Sequence, residues 1–299
     1  MTKQKLTWFQ TALRLKGSVI PAILNRVIYC GLFGLFISIL HYFFKLPVSQ
    51  PILGTVIPSI VLGLLLVFRT NTAYDRYWEG RKCWGALNNN IRNLGRTIWV
   101  SVSEQDEQDK DNKISVLKLI VAFAVATKLH LRGEQINSEL EQLIPSPQYF
   151  KLKTMNNPPL EIAFWIADYL QQQYNRNCIT IHQLTALQNL LHGMVDMLGG
   201  CERILKTPMP LAYAIHLKQL LLIYCLLLPF QIVHNLDLWT GPIVALIAFT
   251  LFGIEEIGIE IEDPFGHDPN DLPLDAICTG IQRNMEDLIS LSPSVHTSI

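Results

Sequence analysis

The sequence predicts an all-α integral membrane protein, with four membrane-crossing helices and a helical region outside the bilayer. Three observations predict it. Four apolar stretches approach the length a bilayer demands, Lys and Arg gather on one side of them, and a long polar block with helical periodicity parts the second stretch from the third. A hydrocarbon core of about 30 Å needs roughly 20 predominantly apolar residues in a helix, with about 17 as the practical minimum.

The first stretch, residues 27–44, has no charged side chain. It is not expected to be a cleaved signal: an apolar run begins only near Val19, is broken by Asn25 and Arg26, and lacks a small-residue cleavage pattern. The second, residues 51–68 (PILGTVIPSIVLGLLLVF), is also charge-free and is left abruptly through RTNTAYDRYWEGRKCWG, dense in cations and aromatics. About a dozen Leu, Ile, Val and Phe side chains at roughly −0.3 to −0.6 kcal/mol each favour its insertion by about −4 to −7 kcal/mol before Gly and Pro are discounted. The third, residues 220–233, extends upstream through residues 211–219, which carry His216 and Lys218. A central Lys would cost about 3 kcal/mol, but near a helix end it snorkels to water. The fourth, residues 238–254, is again free of charge. A shorter apolar run, LIVAFAVAT at residues 119–127, is closed by Lys118 and Lys128 and reads as the core of a soluble helix.

Charge sets the orientation. Lys3, Lys5, Arg14 and Lys16 precede the first stretch, and Arg69, Arg76, Arg81, Lys82, Arg92 and Arg96 follow the second. The outer loops hold only Lys45, and residues 234–237 hold no Lys or Arg. By the positive-inside rule both termini and the middle block face the cytoplasm, and an even number of crossings agrees with that. The expected divisions are residues 1–76 (arm and first two membrane helices), 77–210 (cytoplasmic helices), 211–258 (last two membrane helices) and 259–299 (cytoplasmic C-terminal segment). Within the middle block, residues 101–113 read as a solvated acidic connector, residues 155–159 break helix, and residues 179–205 form one long amphipathic helix with Gly199 and Gly200 as a weak point. The tail beyond Ser290 has little to pack.

Composition removes several function classes. At 49% hydrophobic residues over 299 positions and mean hydropathy +0.25, the chain is too apolar for an ordinary soluble domain. A net charge of −1, with its cations beside the apolar stretches, argues against a nucleic-acid partner. Six cysteines form no C-x-x-C pair, and no H-E-x-x-H, G-x-S-x-G or phosphate loop is present, so neither enzyme nor cofactor is expected.

Two constellations remain. Ile60, Leu64 and Phe68 stand four residues apart on one helical face, beside the small residues Ser59 and Gly63. Such a face either packs against a neighbouring helix or, repeated around an axis, forms stacked apolar rings that gate by dewetting. The second closes the last apolar stretch: Glu255, Glu256, Glu260, Glu262 and Asp263 crowd a helix end, where negative charge opposes the macrodipole and calls for cations. Arg69, Arg76 and Arg81 are the expected partners in an ion-pair belt, with an ion site as the alternative. Asp268 and Asp271 resemble a fragment of a calcium loop without its regular spacing.

The chain resembles the bestrophins, pentameric channels whose subunits each contribute four membrane helices and a helical cytoplasmic region. The resemblance runs over residues 8–288 and is specific in three segments: VLGLLLVFRTNTAYDRYWEGRKCWG, GGCERILKTPMPLAY and IEEIGIEIEDPFGHDPNDLPLD. It implies a homopentamer in a lipid bilayer, with a hydrophobic neck on Ile60, Leu64 and Phe68 and Arg76 as the arginine that follows the neck. Animal members bind calcium through an acidic cluster after a P-F-G turn. Here Pro264, Phe265 and Gly266 match the turn and Asp268 and Asp271 match two acids, while His267 and Pro269 depart from the cluster. Most members pass anions such as chloride, some bicarbonate, and one bacterial branch favours cations. LLLVFRTN and IEEIGIEIEDPF look more like the plant-type thylakoid chloride channels than the animal members, so the expected function is an anion channel in a plasma or thylakoid-type membrane. A monovalent cation channel and a non-conducting membrane scaffold are the alternatives.

Overall fold

The structure is a computed structural model that describes residues 8–50 and 56–291, with side chains given from residue 58 in the second span. The expected start of the second membrane stretch at Pro51, the basic residues Lys3 and Lys5, and the tail from residue 292 onward lie outside the described residues. The regular elements described are helices. They fall into two compact units, residues 1–77 with 208–271, and residues 78–207 with 272–299.

In the first unit, the short α1 (Trp8–Ala12) precedes α2 (Ile20–Tyr42), which opens on Pro21, where a missing N–H costs nothing. The long α3 (Val56–Ser101) begins here and runs on through the residues of the second unit. Near the end of the chain come α9 (Leu211–Leu236) and α10 (Thr240–Glu262), parted only by a 3-10 turn at Asp237–Trp239. The hydroxyls of Ser38 and Thr240 both donate to the carbonyl of Asp237, securing that turn to α2. α2 and α10 pack backbone to backbone: a Cβ on Gly34 would lie 3.2 Å from Cα of Gly241, so any larger residue would drive these helices apart. Ile23, Leu62, Leu66, Leu217, Leu221, Cys225, Ala248 and Phe252 make the buried core. The phenol of Tyr213 donates to the carbonyl of Leu65, tying α9 to α3 at 2.7 Å. α2 and the segment Leu211–Glu262 are long and apolar enough to cross a membrane.

The second unit is built on α4 (Gln108–Arg132), with α5 (Ser138–Glu141), α6 (Ser146–Leu152), α7 (Pro158–Asn175), α8 (Ile181–Lys206) and α11 (Leu274–Ser290) around it. By length and apolar content α4 too would cross a membrane, yet 78% of its apolar window is buried inside this unit. A helix in lipid would leave such residues facing outward; this one is a protein core. Its end is set by Gly133 at φ 67°, a left-handed cap that a side chain would strain. α8 opens with a capping box between Thr180 and Gln183 and continues through Gly199 and Gly200 to Lys206, so the glycines do not interrupt it. Gly200 lacks a side chain because a Cβ there would sit 2.9 Å from Sγ of Cys83.

The acidic connector at residues 101–113 is shorter than the sequence predicts, because helix resumes at Gln108 and two of its charges are buried. Lys113 donates to Glu104 at 2.8 Å. Asp109 accepts from Nη1 of Arg176 at 2.6 Å and from the N–H groups of Gln105 and Asp106 at 2.8 and 3.0 Å. The Arg176 hydrogen bond, and then those N–H groups, hold the Asp109 carboxyl well below the usual carboxylate range against the opposing push of burial. A depressed folded pKa gives stability that is present above the unfolded value of about 3.9 and is lost as pH falls toward the folded one. Asp109→Asn should therefore lower the thermal midpoint at pH 7, and its deficit should shrink steadily below about pH 4. A deficit independent of pH would show that the carboxylate charge is not what matters.

Candidate functional site

The face chosen from spacing lies on the outside of the chain. Ile60, Leu64 and Phe68 are 56%, 52% and 61% exposed, whereas Leu62 and Leu66 on the opposite face of α3 are 3% and 2% exposed. Packing against a neighbouring helix of the same chain is thereby removed as an explanation. The exposed stripe continues one and two turns on through Asn71 and Asp75. Three large apolar side chains that the chain leaves on one exposed stripe of α3 call for lipid, another copy or a water-filled axis as surroundings.

Immediately beyond Phe68 the helix turns a cation inward. Arg69 is buried, its Nη2 3.6 Å from Glu262, and its Nε and Nη1 have no hydrogen-bond partner among the described residues. Gly258 makes room for it, since a Cβ there would approach Arg69 Nε to 3.4 Å. Arg76 donates from Nε to the carbonyl of Glu262 at 3.0 Å, and the Glu262 carboxylate also accepts from the N–H of Met209 at 2.9 Å. Arg76 thus satisfies a carbonyl at the C-terminus of α10, where the macrodipole favours positive charge. Arg69 and Arg76 thus converge on Glu262.

The other acids find different partners. Arg26 on α2 lies 3.1 Å from Glu256 and 3.7 Å from the buried Glu255. Glu260 accepts from Nδ2 of Asn270 at 2.6 Å, and Asp263 accepts from the N–H of Phe265 at 3.2 Å. Arg81 belongs to the second unit, and these acids belong to the first. Sequence reasoning passed over Arg26, although it was the one charge at the mouth of the first apolar stretch.

After the buried Phe265 the chain makes a tight turn. The Asp271 carboxylate accepts from the N–H of Asp268 at 2.7 Å, and the N–H of Asp271 donates to the carbonyl of Asp268 at 3.0 Å. A Cβ at Gly266 would come within 2.7 Å of Asp271 Oδ2, so a larger residue there would have to displace the carboxylate that holds the turn. One carboxylate of the pair matched to a calcium cluster is thus engaged in holding the turn. Among the described residues no group of three or more His, Cys, Asp or Glu side chains is placed to hold a metal ion.

Comparison with known proteins agrees with this architecture. The family model described as bacterial/fungal bestrophin protein matches residues 1–287. A voltage-dependent anion channel-forming protein of Nostoc sp. is 69% identical over 297 residues, covering 99% of this chain and 96% of that protein. Another so named, from Synechocystis sp., is 58% identical over 289 residues, covering 96% and 93%. The crystal structure of a bacterial bestrophin homolog from Klebsiella pneumoniae superposes with a TM-score of 0.79 at 27% identity, covering 91% of this chain and all (100%) of that one. The chain is an integral membrane protein of the bestrophin family.

Proposed function

We propose that the chain is the subunit of a homopentameric channel for inorganic anions, chloride and with it bicarbonate. Ile60, Leu64 and Phe68 form three stacked rings at its neck. The membrane part comprises residues 1–76 and 211–258, and residues 77–210 and 259–299 face the cytoplasm with both termini. The observation that carries this reading is the outward stripe on α3, where side chains that the chain itself does not bury repeat every four residues. Five copies of such a helix around an axis put apolar rings across the path of an ion, and a narrow apolar constriction excludes water until it widens. The name borne by the relatives in Nostoc and Synechocystis supports anions as the permeant class. The acids from Glu255 to Asp263 support a structural belt rather than an ion site, because Arg26, Arg69, Asn270 and the backbone N–H of Phe265 engage them. Conduction is proposed to be independent of calcium, with Asp268 and Asp271 serving the turn.

One observation favours the cation reading. Asp75 is exposed on the same stripe as the neck, two turns beyond Phe68. Purified protein in a planar bilayer under a potassium chloride gradient should reverse near the chloride equilibrium potential, and Asp75→Asn should leave that potential in place. Reversal near the potassium potential, abolished by Asp75→Asn, would establish the cation channel, and an absence of any current would leave the scaffold.

A further inference from the structure

Between α2, α9 and α10 in the first unit lies a groove of about 430 Å³, lined among others by Arg26, Tyr29, Lys218, Leu222, Phe252 and Glu255. Its lining is ordered by depth. Arg26, Lys218 and Glu255 each stand one helical turn nearer the cytoplasm than Tyr29, Leu222 and Phe252 on the same helices, given the orientation read from charge. Beyond the groove the surface stays apolar and exposed, through Leu32 and Phe36 on α2 and Ile223 and Leu226 on α9.

The polar end is incompletely paired. Glu255 is 2% exposed, and its Oε1 has no hydrogen-bond partner among the described residues. Arg26 reaches only 3.7 Å from the other oxygen, being drawn to Glu256 at 3.1 Å. Lys218 is exposed at the mouth. A buried acceptor without a donor is unfavourable, and a groove that is cationic at the interface and apolar below it has the layout of an amphiphile.

We propose that this groove binds one phospholipid of the cytoplasmic leaflet whose headgroup carries N–H or O–H donors beside its phosphate. The phosphate oxygens accept from Arg26 and Lys218, the headgroup donor supplies Glu255 Oε1, and an acyl chain lies against Leu222 and Phe252. A choline headgroup offers the same phosphate but no such donor, and inorganic phosphate offers no chain.

Native mass spectrometry of the detergent-solubilised full-length protein, titrated with phosphatidylglycerol, phosphatidylethanolamine and phosphatidylcholine, tests this. The first two should be retained and the third bound about tenfold more weakly. Lys218→Gln, at an exposed position, should weaken retention of phosphatidylglycerol about fivefold. Leu222→Trp, which fills the groove mouth, should abolish retention without lowering the thermal midpoint of the lipid-free protein. Equal retention of all three lipids, unchanged retention in both variants, or displacement of the lipid by inorganic phosphate would each overturn the site.

Discussion

Ile60→Ala, Leu64→Ala and Phe68→Ala combined should raise the open current and make any closed state hard to populate. The rings as they stand bring fifteen large apolar side chains, five copies of three, to one constriction in the proposed pentamer, where water is excluded by narrowness and by the absence of polar partners. Truncation to Ala widens the path and removes most of the apolar surface that dewets it. The structure sharpens what should happen to stability. Because all three side chains are exposed in the single chain, their loss opens no cavity within it, and the change should stay within about 0.5 kcal/mol per site, as for surface substitutions. If these side chains are instead buried between copies, each truncation leaves a cavity costing about 2 to 5 kcal/mol, and the assembly should loosen. Recording from the triple variant beside its thermal melt and its oligomer size separates the cases. A destabilised assembly with unaltered or reduced current would sink the neck.

What the sequence made legible was what depends on pattern along one helix. The apolar stretches and the four-residue spacing of the Ile60 face each follow from the length and period of a helix, and among the described residues the structure gives helices at each of these places. Pairings between distant segments were not legible in this way. The acids at the end of α10 were expected to meet Arg69, Arg76 and Arg81; two of these converge on Glu262, while Glu255 and Glu256 meet Arg26 instead. Choosing among cations for an acid needs to know which helices lie side by side, and the Gly34 and Gly241 contact that brings α2 beside α10 carries no charge signal. The acidic connector misled for a related reason. Asp109 looks solvated until Arg176, from the end of α7, is placed against it.

Lys128 is the sharpest case, and replacing both its partners should be the most destabilising change outside the membrane unit. From the sequence it marks the end of a short apolar run, yet α4 continues past it to Arg132 and its side chain is 2% exposed. Its Nζ donates to Glu139 at 2.7 Å and to Asp275 at 2.9 Å, and Arg132 reaches the same Asp275 at 3.0 Å, so the first turn of α11 is fastened to α4. Burial pushes the ammonium toward losing its proton, and the hydrogen bonds it donates to Glu139 and Asp275 outweigh that push, holding the Lys128 pKa above its ordinary value. The three charges are not equivalent, because the carboxylates are 49% and 64% exposed and the ammonium is not. Glu139→Gln with Asp275→Asn strands a buried cation, at a cost of about 3 to 5 kcal/mol. Lys128→Met removes the buried charge itself and leaves two carboxylates that water can solvate, so it should cost under about 1.5 kcal/mol. Chemical denaturation of the three proteins at pH 7, followed by release of α11 to protease, checks the order. A Lys128→Met protein as unstable as the double variant would show that the attraction itself, and not the avoided burial of an unpaired charge, holds α11 in place.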